Sequence, residues 1–246
     1  MDFFNSMQKN KLKLEINRYG FDFLDKFSAA GIVLEYGQLT PYLIHKYRFL
    51  NVPEQCLEEL LQWHLDKQGN ICLYFNETAN NVCCFNLDNN YKDTNTPLIP
   101  EMIFSVNILS EFLAELGMEP LVVVSGRGYH LWCRFTEAID NQRLFDFMIR
   151  MEARTLAALH KNNYDYHRIK VNIYPNNQIT NIGSLRLFGS EHIRCKIFSY
   201  VLTKTGMLDE AESWQRFTDY LENRTIPLQQ FQQAYDELMV YFNKSY

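Results

Sequence analysis

No stretch of this 246-residue sequence approaches the roughly 18 consecutive apolar residues that a membrane-spanning helix needs. The start, "MDFFNSMQKNKLKLE", lacks an apolar core followed by small residues, so a soluble, cytoplasmic protein without a membrane partner is expected. The six cysteines (Cys56, Cys72, Cys83, Cys84, Cys133 and Cys195) form no CxxC pair and no cluster with histidine. That pattern favours thiols buried among apolar neighbours over a disulfide framework and predicts no structural zinc. Excess positive charge is missing too, the formal net charge being −5, so overall charge points to no nucleic-acid partner. Repeats, low-complexity segments and a linker able to divide the chain are also absent, and a single domain over residues 1–246 is expected.

What is present is a chain able to bury a sizeable core, 47% hydrophobic and 15% aromatic. Its charge is unevenly spread. Residues 77–119 carry seven acidic side chains and one basic, Lys92, whereas residues 161–204 carry seven basic and two acidic, Asp165 and Glu191. A local basic surface on an acidic protein is compatible with that asymmetry, as are ordinary solvated faces.

Residues 1–70 read as a mostly helical layer, because "LEINRYGFDFLDKFSAAG" and "VPEQCLEELLQWHLDKQG" carry apolar residues at helical spacing and close on glycine. "ICLYFNET" and "NNVCCFNLD" read as two strands of a hairpin. "PLIPEMIFSVNILSEFLAELG" predicts a helix of about five turns. "EPLVVVSGRGYHLWCRF" predicts a strand, a four-residue turn and a second strand on which Tyr129, Leu131 and Cys133 oppose His130, Trp132 and Arg134. A helix over about 141–160 follows, then strands at "HRIKVNIY", "GSLRLFGS" and "CKIFSYVLT", and C-terminal helices over 206–246 broken at Pro227. The order predicts an α+β protein with an antiparallel or mixed sheet.

Three strings carry chemistry. In "CCFNLDNNY" the alternation of a strand points Asn86 and Asp88 the same way, so the two can serve one site. In "SGRGYH" two glycines flank Arg127, exposing backbone amides to an approaching anion, while Arg127 and His130 add donors suited to phosphate. A tight hairpin with exposed polar side chains would read the same way. In "GSLRLFGSEHIRCK", Arg186, Ser190, His192 and Lys196 form a second collection of donors with few acceptors.

Together, over residues 70–205, these strings resemble the archaeo-eukaryotic primase superfamily, the primase small subunits and primase-polymerases. Its members carry a D-x-D pair at a strand end, a helix, an S-G-x-R-G-x-H turn, and a third acid upstream of an R-L-P-G-S-x-H-x-K-T-G-like segment. The resemblance implies a catalytic core in which an RRM-like βαβ unit faces a second αβ unit across a nucleotide cleft, with helical N- and C-terminal additions. It implies that Ser125, Arg127, His130, Arg186, Ser190, His192 and Lys196 bind the phosphates of a nucleoside triphosphate, and that Asp88, Asn86 and Asn176 occupy the catalytic acid positions, with Mg²⁺ or Mn²⁺ on Asp88. Asn172 and Asn181 are alternatives for the third acid, and Glu77, Asp93 and Asp165 are candidate substitute ligands. Two of the three acids are thus amides, while the phosphate-binding half is retained. Two functions follow as expectations: template-directed nucleotidyl transfer on DNA, weakened by the depleted metal site, or a catalytically inactive module that binds nucleotide or nucleic acid and recruits a helicase or polymerase.

Overall fold

The computed structural model describes residues 29–38, 44–49, 60, 62–90, 98–176, 184–193 and 195–244. Two four-stranded antiparallel sheets organise them. The first contains β1 (Ala29–Gln38), β2 (Ile44–Phe49), β3 (Asn70–Phe75) and β8 (Ser184–Arg186), in the order β2-β1-β3-β8. The second contains β4 (Ala79–Asn89), β5 (Leu121–Val124), β6 (Gly128–Asp140) and β7 (Ile169–Tyr174), in the order β5-β6-β4-β7. A short ribbon pairs β9 (Leu202–Thr203) with β10 (Gly206–Met207). Helices α1 (Pro100–Glu115), α2 (Asn141–Lys161), α3 (Glu210–Asn223) and α4 (Leu228–Lys244) complete an α+β protein.

The second sheet is a split βαβ unit. Its chain order β4-α1-β5-β6-α2-β7 places each helix in a crossover between strands that are not neighbours, the arrangement expected of an RRM-like core. Pro100 sits in the first turn of α1, where its missing N–H costs nothing. The side chain of Asp140 accepts from the Arg143 amide and so caps α2. Met102, Val106, Leu109 and Leu113 of α1 and Leu144, Phe147, Met148 and Met151 of α2 pack against Cys83, Phe85, Leu87, Leu131 and Cys133. On the opposite face Val82, Cys84, Val123 and Trp132 join Ile71, Leu73 and Phe75 of β3, Leu185, Leu187 and Phe188 around β8, and Phe217, Tyr220 and Leu221 of α3. Because both faces are covered, the middle of β4, residues 82–85, reads as a continuous apolar run. Beyond it Asn86 and Asp88 are the polar residues on the face that carries Val82 and Cys84.

Several expectations are corrected. The N-terminal part is not mostly helical where it is described: β1 and β2 are strands, and only a turn around 62–65 is helical. The β-branched and aromatic residues of "GIVLEYG" and "IHKYRF" suit a pleated sheet, and the pairing of β1 with both β2 and β3 selects it over helical spacing. Residues 1–28 and 51–59, with most of the helical patterns read there, lie outside the described residues. β3 and β4 form no hairpin but belong to different sheets. At the start of β4 the Asn80 side chain ties the connection to α2, accepting from the Asn76 amide (2.9 Å) and donating to Asn141 Oδ1 (2.6 Å). "CKIFSYVLT" makes only isolated bridges at Phe198 and Val201 before β9, because the Val201 amide donates to Ser213 Oγ (2.9 Å) instead of a ladder. The C-terminal helices form as expected, α4 beginning after Pro227, and both enter the core through Phe217, Tyr220, Phe231, Ala234 and Leu238. Cys72, Cys83, Cys84 and Cys133 are buried and outside any disulfide.

Candidate functional site

One cross-strand row organises the site where the second sheet faces the first. Asn86 on β4 stands opposite His130 on β6 and Asn172 on β7, and Asp88 stands opposite Gly128 and Lys170. Directly opposed side chains lie within about 5.5 Å of each other, so these residues share one site. The turn that ends the row is closed by Ser125, whose amide donates to Gly128 O (2.8 Å), and Gly126 takes the positive φ of 99° that a two-residue hairpin loop needs. A Cβ on Gly126 would meet His192 Cβ and Cys195 Sγ at 2.8 Å, so the loop containing "SEHIRCK" lies directly on "SGRGYH". A Cβ on Gly128 would fall 1.7 Å from Leu87 O, which is why the backbone can approach β4 so closely beside Asp88.

Arg186 joins the two sheets. From β8 its Nη2 donates to Ser125 O, and its charge bears on Asp88, His130 and His64. Burial raises the pKa of Asp88, against the opposing pull of Arg127, an Asn86 Nδ2 hydrogen bond (3.2 Å), Lys170 and Arg186. Burial, with Arg186 and His192 adding repulsion, holds His130 well below the usual histidine range, so it stands neutral with one N–H to offer. Burial, then the Asp88 charge, pushes the Tyr174 hydroxyl up to about 12. Asn86 Oδ1 and Arg127 Nε are shielded from solvent with no hydrogen-bond partner.

Of the residues singled out in the sequence, Asn86, Asp88, Ser125, Arg127, His130, Arg186 and His192 come together. Others are placed elsewhere. Ser190 is 1% exposed, and its hydroxyl donates to Gly69 O (3.0 Å), a tie between loops that spends its proton. Lys196 is exposed in a turn at φ 54°. Asn176 lies past the end of β7, whereas Asn172 faces Asn86 directly. Glu77 lies beyond the opposite end of β4 from Asp88, and Asp165 caps the 3-10 turn Tyr166–Arg168 by accepting from the His167 amide (3.1 Å). Asp93 and Asn181 lie outside the described residues. Lys170 is the residue that reading the sequence missed. The alternation of "HRIKVNIY" carries the signal, since it sets Lys170 and Asn172 on the face opposite Ile169, Val171 and Ile173.

The Mg²⁺ or Mn²⁺ implied by the family resemblance does not fit these residues as a two-ion centre. Such a centre needs several anionic oxygens to hold the ions and offset their charge. Among the described residues no three His, Cys, Asp or Glu side chains converge. The single carboxylate, Asp88, already accepts from Asn86 and is faced by Arg127, Lys170 and Arg186.

Solved structures similar to this chain include two DNA-processing domains. The polymerase domain of Mycobacterium tuberculosis ligase D, in complex with DNA, aligns with a TM-score of 0.49 and 13% identity over 94% of this chain and 88% of that one. The AEP domain of the cyanophage S-2L primase-polymerase aligns with a TM-score of 0.39 and 12% identity over 80% of this chain and 92% of that one. No family model and no curated protein matches the sequence. Among the described residues no helix is long and apolar enough to cross a membrane.

Behind the site, His64 locks β3 to the segment after β8. Its Nδ1 accepts from the Ile71 amide (3.0 Å) and its Nε2 donates to Phe188 O (2.9 Å), an arrangement open only to the neutral ring. Burial lowers its pKa to about 4. Unfolded histidine titrates near 6.5, so the unfolded state takes up the proton first and stability falls as pH drops from about 6.5 towards 4. The expected loss is roughly 3 kcal/mol by pH 4. Urea unfolding across this range measures the slope, which His64→Gln should flatten.

Proposed function

We propose that this chain is a member of the archaeo-eukaryotic primase superfamily that binds nucleoside triphosphate or nucleic-acid phosphate in the cleft between its sheets without two-metal nucleotidyl transfer. The observation that carries this reading is the convergence of Arg127, Lys170 and Arg186 on one carboxylate, Asp88, with His130 and His192 beside them. Donors for phosphate outnumber ligands for metal. A basic and aromatic surface next to Lys170 supports a nucleic-acid partner: exposed Tyr166 lies 4.1 Å, ring to ring, from His167 and 6.1 Å from His160, with exposed Lys161 at the end of α2. Such pairings of rings and positive charge suit bases and backbone of a single strand. Without turnover, the role open to the domain in DNA replication is to deliver bound nucleotide or strand to a helicase or an active polymerase.

Fluorescence titration with dATP and with labelled single-stranded DNA tests the binding. Both are expected to bind at low salt, DNA affinity is expected to fall steeply as salt rises, and Arg127→Ala is expected to weaken dATP binding about tenfold or more. Undetectable binding of both ligands at low salt would sink the proposal. Primer extension with Mg²⁺ and with Mn²⁺, beside a working polymerase, is expected to yield no incorporation, and any extension would restore the catalytic reading.

A further inference from the structure

We propose that the cleft takes its phosphate ligand free of divalent cation, and that Asp88 acts there as an internal counter-charge to Arg127, Lys170 and Arg186 instead of as a metal ligand. The inference rests on the phosphate-binding reading above and specifies its ligand as a metal-free polyphosphate.

Three observations carry it. The first is charge. Arg127, Lys170 and Arg186 all bear on Asp88, so the immediate surroundings carry a formal excess of two positive charges. A divalent cation placed against Asp88 would meet that excess, whereas a triphosphate would neutralise it. The second is the orientation of the neighbouring amide. Asn86 turns its Nδ2 towards Asp88 Oδ2 (3.2 Å), so the amide oxygen, the only atom with which Asn86 could share a metal with Asp88, points elsewhere and is buried without a partner. An amide that donates to the carboxylate takes up one lone pair of Oδ2 and adds a donor, not a ligand, beside it. The third is the rest of the row: Asn172 and His130, the cross-strand neighbours of Asn86, add no negative charge. Arg127 Nε, a shielded donor without a partner, then has a phosphate oxygen as its natural acceptor.

This role reverses the expected effect of the obvious substitution. A metal ligand changed to its amide loses affinity for a metal-bound nucleotide. A counter-charge changed to its amide leaves the three cations uncompensated and tightens binding of a polyanion. With one charge removed several ångströms from the phosphates in a partly screened cleft, Asp88→Asn is expected to strengthen binding about three- to tenfold.

The test measures dissociation constants for dATP and for inorganic tripolyphosphate, with wild-type protein, Asp88→Asn and Asp88→Ser, in excess EDTA and in millimolar magnesium chloride. The expected result is wild-type binding in EDTA at least as tight as with magnesium, and tighter binding by both variants. The thermal shift that tripolyphosphate gives the wild-type protein in EDTA reads the same point without any variant, and a stabilisation is expected. Binding by wild-type protein that requires magnesium, or weaker binding by folded Asp88→Asn and Asp88→Ser, overturns this inference and leaves phosphate binding standing. Failure of wild-type protein to bind either probe in either condition overturns the phosphate-binding reading, and this inference with it.

Discussion

Arg186→Met is expected to lower the affinity for dATP by about 100-fold and to destabilise the protein by about 3 kcal/mol. Arg186 is 8% exposed, and its guanidinium ties Ser125 O to β8, so it bridges the two sheets at the rim of the cleft. Methionine keeps much of the length and apolar volume but removes the charge and the fork of donors. Two costs follow from different causes. The affinity loss comes from losing a buried cation beside the proposed anion site, and the stability loss comes from leaving Ser125 O without the bond that ties it to β8. Because the Arg186 charge also depresses His64 and His130, both imidazoles should titrate at higher pH in the variant. NMR titration of the ring protons separates this electrostatic role from simple packing. Unchanged dATP affinity, or unmoved histidine titrations, would rule out Arg186 as the charge that organises the site. Arg186→Lys should recover part of the charge effect and little of the bridging bond.

Asn86→Asp combined with Asn172→Asp is expected to turn an anion site into a cation site. The two positions face each other across β4 and β7, with Asp88 two residues from the first, so the double variant gathers three carboxylates on one patch of sheet. Without metal, carboxylates about 5 Å apart repel by roughly 3 kcal/mol per facing pair at the effective dielectric of a partly buried site, less what Arg127, Lys170 and Arg186 offset. The melting temperature should therefore fall in EDTA and recover with Mn²⁺, whereas wild-type protein should show no such dependence. Binding of dATP should become metal-dependent in the same variant. A double variant that folds but gains nothing from Mn²⁺ would show that this row cannot chelate, whatever its side chains. Asn172 replaces Asn176 in this design because register, not motif spacing, decides which amide faces Asn86.

The parts of the fold legible in the sequence are those held by local rules. The apolar stripe of α1, the capped amphipathic α2 and the glycine turn between β5 and β6 each announce themselves within a few residues, and each forms as expected. β1 reads locally as part of a helical layer because one of its partners, β3, lies more than thirty positions away, Val33 facing Cys72, and local spacing cannot report that pairing; β2 then forms on the other edge of β1. The supposed hairpin of β3 and β4 failed for the converse reason: a turn-like connection shows where the chain bends, but not which sheet each strand then joins. Ser190 and His192 show the same division within the site. Both belong to one donor-rich string, yet the fold turns the Ser190 hydroxyl inward to Gly69 O and sets His192 against Gly126 beside His130.

The order of residues alone determined the inventory: hydrogen-bond donors gathered in two strings, and Asp88 near the end of β4 with amides rather than acids at Asn86 and Asn172. Their assembly was settled in three dimensions. Antiparallel register sets His130, Asn86 and Asn172 in one row, and the packing of β8 against the second sheet brings Arg186 within reach of Asp88. Charge interactions depend on separation and burial, neither of which is written locally in a chain whose interacting residues lie up to about a hundred positions apart. That is why Asp88 reads in the sequence as the remnant of a metal site, and in the folded protein as one negative charge among three positive ones.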